Sequence, residues 1–386
     1  MTEPSFTVGI EEEYRLVSRT TRELAAAPPE LMEACAAELG ERVAPEFLKT
    51  QIEIGTAVCR SFAEVRRELQ TLRSSLARLA GVHDLAPIAA GTHPFGLTGT
   101  LATTDKERYR VLAHDLAGVG RRLAICGMHV HVGIEDDDLR IDLMNQARYF
   151  LPHLLTLSTS SPFWEGKDTG LKSYRLAVMH ELPRTGMPGR FAGWSEYRRT
   201  VGVLIDAGVI DDAGKVWWDI RPSARFPTLE MRITDVCPHI DDGICIAALY
   251  VCILRMLYRL RRANHSWRPY PVFLLEENRW RAQRYGVQGT LFDLGKGTLQ
   301  PFKDLLEELL ALVAEDAAAF DCTHEVAHAR RIVAEGTSAD RQVTAFDRFC
   351  SGGTSPEAAL RGVVDQLVAE TANVTGPDGS PSNRSH

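Results

Sequence analysis

Three consecutive glutamates, Glu11-Glu12-Glu13, interrupt an apolar run from Phe6 to Val17. In an extended chain residues two apart share a face. Phe6, Val8 and Ile10 therefore lie with Glu12, while Glu11 and Glu13 share the opposite face. Neighbouring carboxylates on one sheet face repel each other unless a cation, usually a divalent metal, lies between them. A solvated strand edge would explain three glutamates taken alone, since charge runs commonly face water. The rest of the chain weighs against that reading.

A chain of 386 residues holds one large domain or two ordinary ones. Its 44 basic and 51 acidic residues leave a net charge of −7, with no basic arm or stripe that would bind nucleic acid. A phosphate or carboxylate ligand would then depend on locally placed arginines or metal. The eight cysteines include no Cys-x-x-Cys pair and sit mostly among apolar residues, which predicts reduced core thiols in a cytoplasmic protein. The N-terminus lacks the basic-then-apolar pattern of a signal peptide. The most apolar run, Ile244–Leu254, is only 11 residues long and predicts no membrane span.

Further strands carry further chemistry. Leu48–Ala57 reads as a strand with Gln51, Glu53 and Gly55 on one face and Ile52 and Ile54 on the other. Glu53 either pairs with a neighbouring strand or faces the same cation as Glu11 and Glu13. Ala124–Ile134 places His129 and His131 on one face and Met128, Val130 and Val132 on the other, which favours a metal or phosphate role for the histidines. Val216–Arg221 and Thr228–Ile233 read as two more strands, the second with Glu230 and Arg232 on one face. With Arg221 and Arg225 close by, a polyanion site fits better than an isolated ion pair.

Between these strands, helices are expected over Pro28–Leu39, from Ser61 with Glu64 as a capping box, over Leu143–Thr156 and Trp194–Ala207, and from Asp242 to Arg262. Leu85–Ala90 reads as a buried strand followed by a turn holding His93, which is either a functional or a turn residue. The long polar loop 161–170, with Ser173, Tyr174 and Arg175 behind it, has the character of a substrate loop. Almost everything after Asn278 reads as helix, and residues 372–386 as a disordered tail.

Glu11, Glu13, Glu53, His129 and Glu230 are thus predicted to face one way. An oxygen-rich set with imidazole suits magnesium or manganese better than zinc. Arg221, Arg225 and Arg232 beside it would clamp a triphosphate, an arrangement that stabilises in-line phosphoryl transfer. The usual nucleotide loops are missing: Gly289–Lys296 has the wrong spacing and Gly297 follows where Ser or Thr is needed. ATP would have to be held by metal and arginine on a sheet.

The order of Gly9-Ile-Glu-Glu-Glu13, Gly127-Met-His-Val-His131 and Glu230-Met-Arg-Ile-Thr-Asp235 resembles the strands of the glutamine synthetase superfamily. Arg221-Pro-Ser-Ala-Arg225 resembles its arginine segment. Within it, Gly91-Thr-His-Pro-Phe95, residues 161–170, Trp217-Trp-Asp-x-Arg-Pro222 and Glu277-Asn-x-Trp-Arg-Ala282 resemble the YbdK-type carboxylate–amine ligases, also called glutamate–cysteine ligase 2. The resemblance runs from about residue 6 to beyond 350.

It implies an α+β fold: a curved, mostly antiparallel sheet with the site on its concave face, helices on the convex side and a helical C-terminal third, in one catalytic domain over 1–371. It implies ATP-dependent condensation of glutamate with cysteine through γ-glutamyl phosphate. Glu11, Glu13, Glu53, His129 and Glu230 match metal positions. Arg232 would neutralise the transferring phosphoryl group, Arg221, Arg225 and His131 would face nucleotide, and Arg175 a substrate carboxylate. A homodimer is a family expectation. Three other readings stay open: a ligase or kinase for another acid–amine pair, a metallohydrolase, and a non-catalytic nucleotide-binding protein.

Overall fold

The computed structural model describes residues 3–98, 101–105, 107–120 and 122–374. Seven strands form the main sheet: β1 Val8–Ser18, β2 Val43–Pro45, β3 Gln51–Gly55, β4 Leu85–Ile88, β5 Met128–Gly133, β6 Ile220–Pro222 and β7 Thr228–Met231. Their order is β6-β7-β5-β1-β3-β2, and every pairing is antiparallel. The long strand β1 is the spine. Its first half pairs with β5 and its second half with β4 along one edge, while β3 takes the other edge.

The alternation of β1 sets the two faces. Val8, Ile10, Tyr14 and Leu16 are buried against helices, whereas Glu11 and Glu13 remain half-buried on the opposite side. Two helices cover the apolar face: α1 Phe62–Gly81 and α2 Ile240–Arg262. In α1 the Ser61 hydroxyl accepts from the Glu64 N–H at 3.2 Å, and Val65, Leu69, Leu72 and Leu76 are buried. The Glu64 carboxylate reaches back to the Arg60 N–H, one residue before the expected partner. Helix α2 is long and apolar enough to cross a bilayer, but 83% of its most apolar window is buried inside the fold, so it serves as the core helix. Asp241 and Asp242 open it, and Arg259, Arg261 and Arg262 close it, matching the helix dipole. Seven cysteines are buried and free, and Cys350 is half-buried.

Several expected elements are corrected. The helix expected over Leu143–Thr156 is two helices, Asp137–Ala147 and Leu151–Ser158, because Pro152 has no N–H to continue the first. The strand expected over Val216–Arg221 divides at Asp219: Trp217–Trp218 pairs in parallel with Thr185–Gly186, and only β6 joins the main sheet. A helix over Glu107–Gly120 was not anticipated. The C-terminal third is helical except for a hairpin, Thr290–Asp293 with Thr298–Pro301, which accounts for the glycines around 289–297. Its turn is fixed by Asp293, whose Oδ1 accepts from the Gly295 and Lys296 N–H groups. The last helix ends at Ala372, and residues 375–386 of the expected tail lie outside the described residues.

Candidate active site

Strand register gathers the candidate residues into rows on the face opposite α1 and α2. Arg221, Glu230, His131 and Gly9 are successive partners across β6, β7, β5 and β1. His129, Glu11 and Gly55 form the next row across β5, β1 and β3. Glu13, Glu53 and Ala44 form the third across β1, β3 and β2. Apart from Gly9, Gly55 and Ala44, these residues floor a cavity of about 380 Å³ that crosses the sheet from Arg221 and Arg225 at one end to Glu46 and Phe47 at the other.

Glu11 lies at the junction of two metal-competent groups. One comprises Glu11, Glu53 and His129, and the other Glu11, His131 and Glu230; within each, the ligand atoms lie within 4.8 Å of one another. Glu11 Oε2 is 3.4 Å from His129 Nδ1 and Oε1 is 3.5 Å from His131 Nε2. The expectation thus gains a member: His131, read as a nucleotide contact, stands among candidate ligands, with Nδ1 held by the Thr228 hydroxyl at 2.9 Å. Glu13 is placed differently from the other glutamates. Its Oε2 accepts the Gly127 N–H at 2.7 Å, and its Oε1 is 3.9 Å from His129 Nε2.

This donor set fits a divalent cation. The Nε2 atoms of His129 and His131 are buried without a hydrogen-bond partner, a state that costs free energy unless something fills it. Burial and the neighbouring carboxylates Glu46, Glu11 and Glu13 push the Glu53 carboxyl well above its ordinary range. Burial acts the same way on Glu11, but hydrogen bonds from His129 and His131 outweigh it and hold Glu11 low. Burial and the Arg232 guanidinium keep the His129 imidazole neutral, the form that ligates metal. Three carboxylates and two imidazoles suit magnesium or manganese.

The arginines differ in how far they are committed. Arg221 donates to both oxygens of Glu230, at 2.9 and 3.1 Å, and to the carbonyls of Gly214 and Val216. Arg232 pairs with Glu230 and approaches His129 Nδ1 at 3.3 Å, leaving a buried Nε unpartnered. Burial raises the Glu230 carboxyl, but Arg232 and Arg221 outweigh it and hold it ionised. Arg225 is exposed at the cavity wall, over the Phe226 ring.

Arg175 enters from the polar loop, as expected. It is buried, lines the cavity, donates to the carbonyls of Ile233 and Arg232 at 3.2 and 3.1 Å, and keeps a buried Nε unpartnered. Two residues given no role by sequence reasoning hold it there. Asp235 accepts from the Ser160 N–H and from the hydroxyls of Ser161 and Ser173, which fixes the loop around Arg175. Gly127 leaves the room: a Cβ there would stand 2.3 Å from Arg175 Nη2. The motifs containing both residues were visible, but the contact between them was not. His93 is a turn residue, accepting from the Phe95 and Gly96 N–H groups through Nδ1.

Residues 7–370 match the family model of glutamate–cysteine ligase family 2 (GCS2). The chain belongs to the GCS2 family. It is 59% identical to a protein of Rhodospirillum rubrum over 99% of this chain and all of the relative, and 51% identical to one of Paracoccus denitrificans over 95% of this chain and 98% of the relative. Both carry the name "Putative glutamate--cysteine ligase 2". Among solved structures, a glutamate–cysteine ligase from Francisella tularensis in complex with AMP superposes with a TM-score of 0.69 at 15% identity, covering 97% of this chain and 90% of that one. A bifunctional glutathione synthetase from Pasteurella multocida gives 0.69 at 16% identity, with 95% of this chain on 52% of that longer protein. The fold is that of glutamate–cysteine ligases, as the strand motifs implied. The GCS2 match spans every row of the site, from Glu11 to Arg232.

Proposed function

We propose that this protein is an ATP-dependent carboxylate–amine ligase that activates L-glutamate as γ-glutamyl phosphate and joins it to cysteine or another amine. The observation that carries the reading is Glu11 at the junction of two carboxylate–histidine groups, with Glu230 and Arg232 beside it. GCS2 membership supports ligase chemistry and ATP as co-substrate. Residues 1–371 act as one catalytic domain.

Glu11, Glu53, His129, His131 and Glu230 would hold magnesium or manganese, with Glu13 available through Oε1. Bound metal supplies charge neutralisation and alignment of the phosphates. The chain's own residues do the rest. Arg225 and Arg221 line the end of the cavity that receives the nucleotide phosphates, and Arg232 faces the charge that develops on the transferring phosphoryl group. Arg175, on the cavity wall, holds the substrate's free carboxylate.

In the first step a γ-carboxylate oxygen attacks the terminal phosphorus, the bond to the bridging oxygen breaks, and ADP leaves. In the second, the amine nitrogen attacks the acyl carbon, the bond between carbon and the phosphorylated oxygen breaks, and inorganic phosphate leaves. The amine proton passes to solvent or phosphate. Fixed donors that position the acyl phosphate favour the amine over hydrolysis.

The test is ADP release with Mg-ATP and L-glutamate, with and without L-cysteine and other amines. Amine-dependent release with an amide product supports the reading. Release without ATP-dependent amide formation returns the protein to hydrolase or kinase chemistry, and absence of release favours a binding protein.

A further inference from the structure

Among the described arginines that line the cavity, Arg221 has its donors most fully engaged. Its Nε and Nη2 donate to the two oxygens of Glu230 at 2.9 and 3.1 Å, and its Nη1 donates to the carbonyls of Gly214 and Val216 at 2.8 and 2.6 Å. A guanidinium carries five N–H groups, so these four bonds leave one, on Nη2. The two carbonyl bonds anchor the guanidinium to the backbone just before Trp217–Trp218, which fixes the fork in place. Arg225 differs: it is exposed, lies over the Phe226 ring, and makes no ion pair among the described residues.

Strand register shows what the Arg221 fork does. β6 is the edge strand of the sheet, β7 lies inside it and β5 beyond, and Arg221, Glu230 and His131 are successive partners across them. Glu230 therefore has Arg221 on its outer flank and His131 on its inner flank, where its carboxylate joins Glu11 and His131 in a metal-competent group. Each carboxylate oxygen accepts through two lone pairs. Arg221 takes one on each oxygen and Arg232 takes the second on Oε1, so Oε2 is the oxygen with capacity left for an ion. Turning Arg221 onto a phosphate would break the fork and withdraw one of the two cations from a carboxylate that is only 1% exposed, a costly exchange.

We propose that Arg221 is a positioning residue, which holds the Glu230 carboxylate toward the metal and does not contact the nucleotide. This inference rests on the metal-dependent ligase reading and separates two neighbouring arginines within it. Arg225 meets phosphate, and Arg221 sets a metal ligand from behind.

Binding of Mn2+ to the nucleotide-free protein, followed by the EPR signal of the free ion, tests this without turnover. Arg221→Lys keeps a positive charge but cannot span both oxygens and two carbonyls, so it changes geometry at constant charge. The Mn2+ dissociation constant is expected to rise by about tenfold to a hundredfold in this variant, the scale for losing a partner that orients a metal ligand. In Arg225→Gln it is expected to stay at the parent value, while KM for Mg-ATP rises. In a Glu230→Gln background Arg221→Lys should weaken Mn2+ no further, because the two residues act through one carboxylate. Melting curves establish that each variant folds. Unchanged Mn2+ affinity in folded Arg221→Lys, or a further loss in the Glu230→Gln background, would overturn the inference and leave the ligase reading standing. No Mn2+ bound by the unmodified protein would remove the metal site and the inference with it. If Arg221→Lys does not fold, a crystal structure of the unmodified protein with Mg2+ and a non-hydrolysable ATP analogue decides the point. Arg221 still forked onto Glu230 supports the inference, and an Arg221 nitrogen within hydrogen-bond distance of a phosphate oxygen overturns it.

Discussion

Arg73 of α1 and Glu12 of β1 form an ion pair sealed from water, directly behind the carboxylate face of the sheet. Arg73 Nη2 is 2.6 Å from Glu12 Oε1 and Nε is 3.0 Å from Oε2, with both side chains fully buried. The same guanidinium donates to the carbonyls of Cys237 and Pro238 just before α2, and the Tyr14 hydroxyl donates to Glu12. Glu12 thus has the opposite fate from Glu11 and Glu13 although all three are adjacent. It anchors the strand to both covering helices, while its neighbours face the cavity.

Removing Arg73 alone would strand a buried carboxylate. Arg73→Ala is expected to cost about 3–5 kcal/mol of unfolding free energy, read as a lower denaturation midpoint in urea at unchanged slope. A variant that unfolds like the parent protein would show the pair to be dispensable.

Arg279 of the helix Val272–Tyr285 reaches into the same sheet from a different direction. Its Nε donates to Asp219 Oδ2 at 2.6 Å and Nη2 to Oδ1 at 3.3 Å, both residues buried. The Asp219 carbonyl in turn accepts the Arg232 N–H at 2.8 Å. Arg279 therefore fixes the backbone that carries Arg232 without lining the cavity. Arg279→Lys loses the forked geometry and should lower kcat by about tenfold to a hundredfold, the scale of a small misplacement at the reacting centre. Steady-state kinetics beside a melting curve separates this from loss of folded protein.

Gly127→Ala places a methyl group 2.3 Å from Arg175 Nη2. The guanidinium must move, and the expected result is a KM for the acid raised by about tenfold, the loss of one charge-assisted hydrogen bond. An unchanged KM would remove Arg175 from the substrate site.

His93 makes stability depend on pH. Its Nδ1 accepts two backbone N–H groups and its Nε2 faces the Arg22 carbonyl at 2.9 Å, so the neutral ring satisfies all three. Burial lowers its pKa from 6.5 to about 3. The unfolded chain then binds a proton that the folded chain refuses. The stabilising contribution is fully present above pH 6.5 and is lost as pH falls from 6.5 toward 3, by about 1.4 kcal/mol per pH unit. Urea unfolding at pH 7.5 and pH 5 should show this loss, and His93→Gln should flatten it.

The sequence exposed the site more readily than its supports. Alternation alone separated Glu11 and Glu13 from Glu12, and His129 and His131 from Val130, because the strand period is two and one face is buried. For Glu53 the sequence allows either an ion pair or a cation; the register sets it opposite Glu13, and its carboxylate lies within 4.8 Å of the ligand atoms of Glu11 and His129. The supports were hidden because they join distant segments. Arg73 and Glu12 are 61 residues apart, Arg279 and Asp219 60, and Asp235 and Ser160 75. No local period marks such pairs. The hairpin at 290–301 was missed because its short strands lie among helices, and its edge is held by Asn278, which bonds both the N–H and the carbonyl of Phe292.

In the proposed reaction a substrate carboxylate is activated by phosphorylation before the amine attacks. Glutamate carrying oxygen-18 in its γ-carboxylate, turned over with Mg-ATP and an accepted amine, tests this directly. Mass spectrometry of the released inorganic phosphate should find one labelled oxygen per amide formed, because the carbon–oxygen bond breaks on the substrate side. Amide formation with unlabelled phosphate would contradict the acyl phosphate and the site assignment built on it.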